Sequence, residues 1–321
     1  MISPPRRLLV VRLSALGDVI HTIPAVVALR DALPRMQIVW AVEAVYRELV
    51  EIVAGVETIP VRLKKWGREP LASRAEAMQA LRAMRTCDAA IDFQGLIKSA
   101  VLVRLAGAKT RCGFGKDAIR EKPAAWFTNV HVAVDTTRHV VEQNLQLALE
   151  CGGNATALES GGVAASLQTF ARAEGLDAYR NAIILLPGAG KPNKLWPVER
   201  FRELAQQLGD RALAVWGPGE KDLADAIGCR VAPPTNLREL AFLLQHARVV
   251  IGADTGPLHL AAALGTPVIG LYGPTDPRRN GPYGQLEQCV NEFDRTKLMT
   301  SISVQQVMTI LDRLGAGVGV A

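Results

Sequence analysis

The chain has few of the features that announce disulfide, metal or membrane chemistry. Its five cysteines, Cys87, Cys112, Cys151, Cys229 and Cys289, lie far apart and form no CxxC pair. That spacing argues against a disulfide framework or a zinc site and fits a reducing cytoplasm. No run of about 18 uncharged apolar residues occurs, so nothing reads as a membrane span. Arg6-Arg7 ahead of residues 8–11 resembles a signal peptide, but Arg12 and Asp18 interrupt the apolar core that such a peptide needs. Aromatic residues are only 5%, so the basic residues lack interleaved stacking platforms and no nucleic-acid partner is expected. There is no GxGxxG after the first apolar run, no GxxxxGK[ST], no GxSxG and no HExxH. Those absences disfavour a classical dehydrogenase, a P-loop NTPase, an α/β-hydrolase and a zincin. No DxD pair is present to hold a divalent ion between protein and substrate, which favours a site without metal, and no cofactor is expected.

What is present describes a globular protein. Hydrophobic residues make up 49% and charged residues 21% of 321 residues, enough chain for about two domains with a sizeable core. The net charge of +6 is unevenly placed. Residues 1–150 hold 21 Lys and Arg against 15 Asp and Glu, whereas the remainder holds 16 of each. A basic half beside a neutral one suits an anionic partner: nucleic acid, an acidic lipid surface or a phosphorylated sugar. A solvated basic face would look the same.

Apolar runs alternate with helical periodicity throughout. Residues 8–11, 37–42, 58–61, 89–93 and 109–113 read as strands. Residues 19–33, 48–53, 72–85 and 139–151 read as helices. Residues 63–68 (LKKWGR) read as a basic loop, and 114–135, with Lys116, Arg120 and Lys122, as a long loop over the strand ends. Residues 152–162, with two Gly pairs, are the best linker. A second series follows, with strands at 182–186, 212–216, 249–251 and 268–272 and helices from 197 to 208, at 237–246 and at 304–314. Strands alternating with helices in both halves predict two doubly wound α/β domains, residues 1–160 and 161–321, with the last helix a candidate to pack back on the first domain.

In such domains ligands sit outside the carboxyl ends of the strands. The informative residues fall there. Around RVVIGADTGPLHLAAALGTPVIGLYGPTDP, residues 248–277, a strand breaks at Gly252 and Asp254-Thr255-Gly256-Pro257 opens a helix. Asp254 or Thr255 is a natural N-cap, and Pro257 is tolerated in the first turn. A helix start at a sheet edge holds an anion such as a diphosphate, although most α/β proteins contain ordinary turns of this kind. Asp18, where the first strand hands over to its helix, is either an N-cap or a carboxylate able to take a proton from a hydroxyl. Lys194 is either a solvated loop lysine or a cation for a departing diphosphate. His259, in the first turn after Asp254, is either packed or a ligand contact.

With these residues in view, the chain resembles the family of ADP-heptose–lipopolysaccharide heptosyltransferases, glycosyltransferase family 9. The resemblance runs nearly end to end and is carried by SALGDVIHTIPA (14–25), KLWP (194–197) and DTGPLHLAAALGTPVIGLYGPTDP (254–277). Gln94-Gly95-Leu96 with Lys98, Lys64-Lys65-Trp66, and the segment 118–123 are most similar to members that add the first heptose to Kdo of the inner core. The resemblance implies two Rossmann-like domains facing across a cleft, the GT-B type, and metal-independent transfer of L-glycero-D-manno-heptose from ADP-heptose with inversion. It implies Asp18 as general base. Lys194, Glu220, Asp254, Thr255, Gly256 and His259 would hold ADP-heptose. Lys64, Lys98, Arg120 and His139 would face an acidic Kdo2-lipid A-type acceptor. The enzyme would then be cytoplasmic and peripheral at the cytoplasmic face of the inner membrane. Another heptosyltransferase step, another nucleotide-sugar donor, or a non-catalytic nucleotide-sugar or lipopolysaccharide binding module are the alternatives. Where family members often carry hydroxyl residues, this chain has Ala189-Gly190, so phosphate contacts there would come from backbone N–H groups.

Overall fold

Short runs that are apolar on both faces become central strands of parallel sheets, because such strands are covered from both sides. A computed structural model describes residues 6–152 and 175–316. β1 (Arg7–Val11), β2 (Gln37–Glu43), β3 (Val56–Val61), β4 (Ala89–Asp92), β5 (Thr110–Phe114) and β6 (Val130–Val132) form a six-stranded sheet in the order β3-β2-β1-β4-β5-β6. β7 (Ile183–Leu186), β8 (Ala212–Ala214), β9 (Arg230–Val231), β10 (Val249–Ala253), β11 (Val268–Tyr272) and β12 (Cys289–Asn291) form a second, in the order β12-β11-β10-β7-β8-β9. All the pairings are parallel. The sheets belong to two compact units, Met1–Gln168 and Thr169–Ala321. The boundary expected at residue 160, and residues 153–162 of the expected linker, lie outside the described residues.

Both sheets reverse strand order once, at β1/β4 and at β7/β10. These are topological switch points, where the connections diverge and leave a crevice at the carboxyl ends. The central strands are tightly paired there. Gly252 of β10 lies in register with Leu186 of β7, and a Cβ at 252 would stand 2.8 Å from Leu186 Cβ. Glycine is what permits that approach.

Several sequence expectations need correction. The helix read over 19–33 is two helices, Leu16–Ile20 and Ile23–Ala32, with Pro24 in the first turn of the second. The basic loop at 63–68 is a helix, Leu63–Arg68, because good helix formers precede Gly67. The long loop at 114–135 contains a 3-10 turn, Lys122–Phe127, and strand β6, whose Val-His-Val sequence carries too short an alternation to be read. The helix expected at 304–314 is present as Val304–Arg313, capped by Ser303 and Gln306, and Val307, Met308 and Leu311 join the core of the second unit.

Candidate active site

In the second unit the site begins with a buried tryptophan. Trp196 packs edge-on against Phe201 at 4.8 Å and donates its indole N–H to the Ile302 carbonyl at 3.0 Å. Phe201 lies on the helix Val198–Leu208, whose Phe201, Leu204, Ala205 and Leu208 form one buried stripe at helical spacing. This anchor fixes the turn Pro192–Lys194 just ahead of it. Lys194 Nζ then stands 2.6 Å from Asp254 Oδ2, where β10 ends. His259 Nε2 donates to Asp254 Oδ1 at 3.0 Å, and Asn280 Nδ2 donates to Oδ2 at 3.1 Å. Burial alone would raise the Asp254 pKa, but His259 and Lys194 outweigh it and hold the carboxyl down at about 2. Asp254 is therefore an ionised hub that orients a lysine and a buried histidine.

Thr255 is the N-cap residue of the helix Gly256–Ala263, as one of the two expected, and Pro257 sits in its first turn. The threonine hydroxyl does not cap: Oγ1 is buried and has no hydrogen-bond partner among the described residues. The first-turn N–H groups of a helix have no intrahelical acceptor, so Thr255 and Gly256 offer donors at the sheet edge. Glu220 sits apart from this cluster, its carboxylate at the turn after β7. Its Oε2 accepts the Gly217 N–H at 2.8 Å, and a Cβ on Gly188 would lie 2.0 Å from its carboxyl carbon. Gly188 thus admits the Glu220 carboxylate against the turn that follows β7.

In the first unit, Asp18 lies in the first turn of Leu16–Ile20 and makes no side-chain cap; the cap position belongs to Ala15. Its Oδ1 is 2.8 Å from Arg12 Nη2 and 3.2 Å from Arg120 Nη2. Burial raises the Asp18 pKa, yet the guanidiniums of Arg12 and Arg120 bring it below the ordinary carboxylate value. At neutral pH it is an anion, able only to accept. Within reach of Arg12, the buried Asp92 at the end of β4 accepts the Gln94 and Gly95 N–H groups at 2.9 and 3.2 Å and the Ser99 hydroxyl at 2.9 Å. Burial wins at this carboxyl and pushes it up to about 6.

The expected acceptor residues separate. Arg120 joins Asp18 directly. Lys64 and Lys98 are both exposed and gather instead around Glu43 at the end of β2, whose carboxyl burial raises against the pull of Lys98, the Leu63 N–H and Lys64. His139 is buried and caps the helix Val140–Glu150, accepting the Val141 N–H at Nδ1 and meeting the His21 ring edge-on at 5.5 Å. The sequence reading missed Arg12, Glu43, Asp92 and Asn280. Arg12 carried a usable signal: a charge directly after four apolar strand residues is either strain or function.

A family model described as glycosyltransferase family 9 (heptosyltransferase) matches residues 74–308. Lipopolysaccharide heptosyltransferase 1 of Escherichia coli strain K12 is 32% identical over 96% of this chain and 100% of its own. The solved structure of the E. coli heptosyltransferase WaaC with ADP superposes with a TM-score of 0.82 at 29% identity, covering 96% of this chain and 99% of that one. The same enzyme with ADP-2-deoxy-2-fluoro heptose gives 0.76 at 28% identity, with coverage of 96% and 99%. The two parallel α/β sheets are accordingly of the GT-B type. The chain belongs to glycosyltransferase family 9, the heptosyltransferases.

Proposed function

We propose that the protein transfers L-glycero-D-manno-heptose from ADP-heptose to Kdo of the lipopolysaccharide inner core, as a single displacement with inversion. The observation that carries this reading is a pair of sites of different chemistry, one at the switch point of each sheet. One presents an ionised carboxylate between guanidiniums, and the other presents a lysine and helix-start donors suited to a diphosphate. The first unit holds the acceptor and the second the donor. The acceptor hydroxyl oxygen attacks the anomeric carbon, the bond from that carbon to the β-phosphate oxygen breaks, and ADP leaves with the electron pair. Asp18 takes the hydroxyl proton. Its depressed pKa suits late proton transfer, once bond formation has acidified the attacking hydroxyl.

Lys194 and the N–H groups at Thr255 and Gly256 meet the charge that develops on the departing diphosphate, so protein groups supply the stabilisation without a metal ion. His259 and Asn280 act through Asp254, which sets the position of the lysine. Arg120, Lys64 and Lys98 face the acidic acceptor, in keeping with the basic first half. Among the described residues no helix is long and apolar enough to cross a membrane. A lipid-linked acceptor then calls for peripheral work at the cytoplasmic face of the inner membrane.

The test is product formation by purified protein from ADP-heptose and a Kdo2-lipid A-type acceptor. Transfer supports the reading, and binding without transfer replaces it with a non-catalytic module. Because Ala189-Gly190 supplies no hydroxyl to the phosphates, donor identity is tested separately by thermal-shift titration with ADP-, UDP- and GDP-sugars. ADP-heptose is expected to give the largest rise in apparent stability.

A further inference from the structure

The two guanidiniums on Asp18 differ in every respect but charge. Arg12 has a side chain 3% exposed, whereas that of Arg120 is 44% exposed. Arg12 follows β1 at the switch point and is tied to both neighbouring strands. Its N–H donates to Ala41 of β2 at 3.3 Å, and its carbonyl accepts the indole N–H of the fully buried Trp40 at 3.1 Å. Its guanidinium Nη1 donates to the Phe93 carbonyl just past β4. Leu13 next to it donates its N–H to Gln94 Oε1 at 2.8 Å, so the same two strand ends are laced together on both sides of the side chain. Among the described residues Arg120 has no comparable anchorage. It reaches Asp18 from the segment after β5, over 102 residues of sequence, with its head in solvent.

Arg12 is also incompletely satisfied. Its Nε is buried without a hydrogen-bond partner among the described residues. Burying a cation with an unused donor is unfavourable, and a hydrophobic side chain of similar volume is often as stable or more so. Stability alone therefore does not account for a guanidinium here. What it does supply is a fixed positive charge 2.8 Å from the oxygen that is to receive a proton.

We infer that Arg12 is a positioning residue for Asp18, a rigid guanidinium that holds the carboxylate in one orientation at the sheet edge while Arg120 is the exchangeable partner. The inference rests on the reading of Asp18 as the base. An acidic acceptor that approaches Arg120 draws it away from Asp18, which removes one cation from beside the base and raises its proton affinity without freeing it to rotate, because Arg12 stays. The charged groups facing Asp18 are Arg12 and Arg120; those facing Arg12 are Asp18, Arg120 and Asp92.

The experiment measures steady-state transfer from ADP-heptose to a Kdo2-lipid A-type acceptor across pH in wild type, Arg12→Met, Arg12→Gln, Arg12→Lys, Arg120→Met and Asp18→Asn. Arg12→Met misplaces the base and is expected to lower kcat about 100-fold with both KM values within about threefold. Removing a cation from beside an ionised carboxylate raises its pKa, so the acidic limb of kcat/KM moves to higher pH. Arg12→Gln keeps a donor for the Phe93 carbonyl and removes only the charge, so it decides the matter if Arg12→Met fails to fold. Arg12→Lys restores a cation and is expected to stay within about tenfold of wild-type kcat. Arg120→Met is expected to raise acceptor KM more than it lowers kcat. Wild-type kcat and an unmoved acidic limb in Arg12→Gln, with Asp18→Asn inactive, overturn the positioning role and leave the base reading intact. Near-normal turnover by Asp18→Asn overturns the base reading instead.

Discussion

Asp18, after β1, and Asp254, after β10, both lie at the switch points of their sheets, and their surroundings differ. Asp254 is closed in: its side chain is 8% exposed, and Lys194, His259 and Asn280 all reach it. Asp18 is 23% exposed and held by one buried and one solvent-facing arginine. A carboxylate with a complete set of short partners cannot accept a proton without dismantling its surroundings, so Asp254 is a scaffold for the groups around it. A carboxylate with a detachable partner can. On the proposed reading, an aspartate beside each switch point serves once as a fixed anchor, after β10, and once as a working group, after β1.

Four substitutions sharpen that contrast. Asp18→Ala is expected to reduce transfer about a thousandfold while leaving ADP-heptose affinity near wild type, as isothermal titration and initial rates on one preparation will register. Next comes Lys194→Ala, which removes a charged hydrogen bond worth about 2 kcal/mol and is expected to weaken donor binding about 30-fold and to slow transfer. Unchanged donor affinity would remove the lysine from the cradle. A smaller effect is expected from Gly188→Ala, whose new Cβ collides with the Glu220 carboxylate and forces it from the Gly217 N–H. Donor KM should rise by about fivefold with kcat nearly preserved.

The smallest effect is one of stability and has a definite sign. Asp92 has a folded pKa raised to about 6, so between about pH 4 and 6 the folded state holds the extra proton and stability falls as pH rises. Asp92→Asn should flatten that slope in denaturant titrations while keeping the acceptor for Gln94 and Gly95. Asp254 contributes with the opposite sign. Its pKa is held at about 2, so its stabilisation is complete above about pH 4 and is lost as pH falls toward 2.

Much of this was legible in the residues. The runs LLVV, IILL and VVI announce buried strands, the last running on through Gly252 to Ala253 in the structure, and DTGP announces a strand-to-helix turn. The coincidence of Asp18, Lys194, Glu220 and Asp254 with strand ends pointed to the sheet edges where they are found. What could not be read is what depends on strand order. Arg12 is anchored on the Phe93 carbonyl only because β1 pairs with β4 across 81 residues of sequence. No local pattern encodes that pairing. Asn280 reaches Asp254 for the same reason, from a four-residue helix that no periodicity reveals. His139 illustrates the converse: the resemblance sets it toward the acceptor, and the structure shows it buried and capping the helix Val140–Glu150, which no spacing in the sequence announced.

The most direct test of the division between the two aspartates is a paired measurement on Asp18→Asn and Asp254→Asn. Single-turnover transfer and ADP-heptose affinity are determined on the same samples. Asp18→Asn is expected to bind ADP-heptose within about threefold of wild type and to lose transfer by about a thousandfold; Asp254→Asn is expected to lose donor affinity and thermal stability first. Turnover by Asp18→Asn within tenfold of wild type would contradict the account.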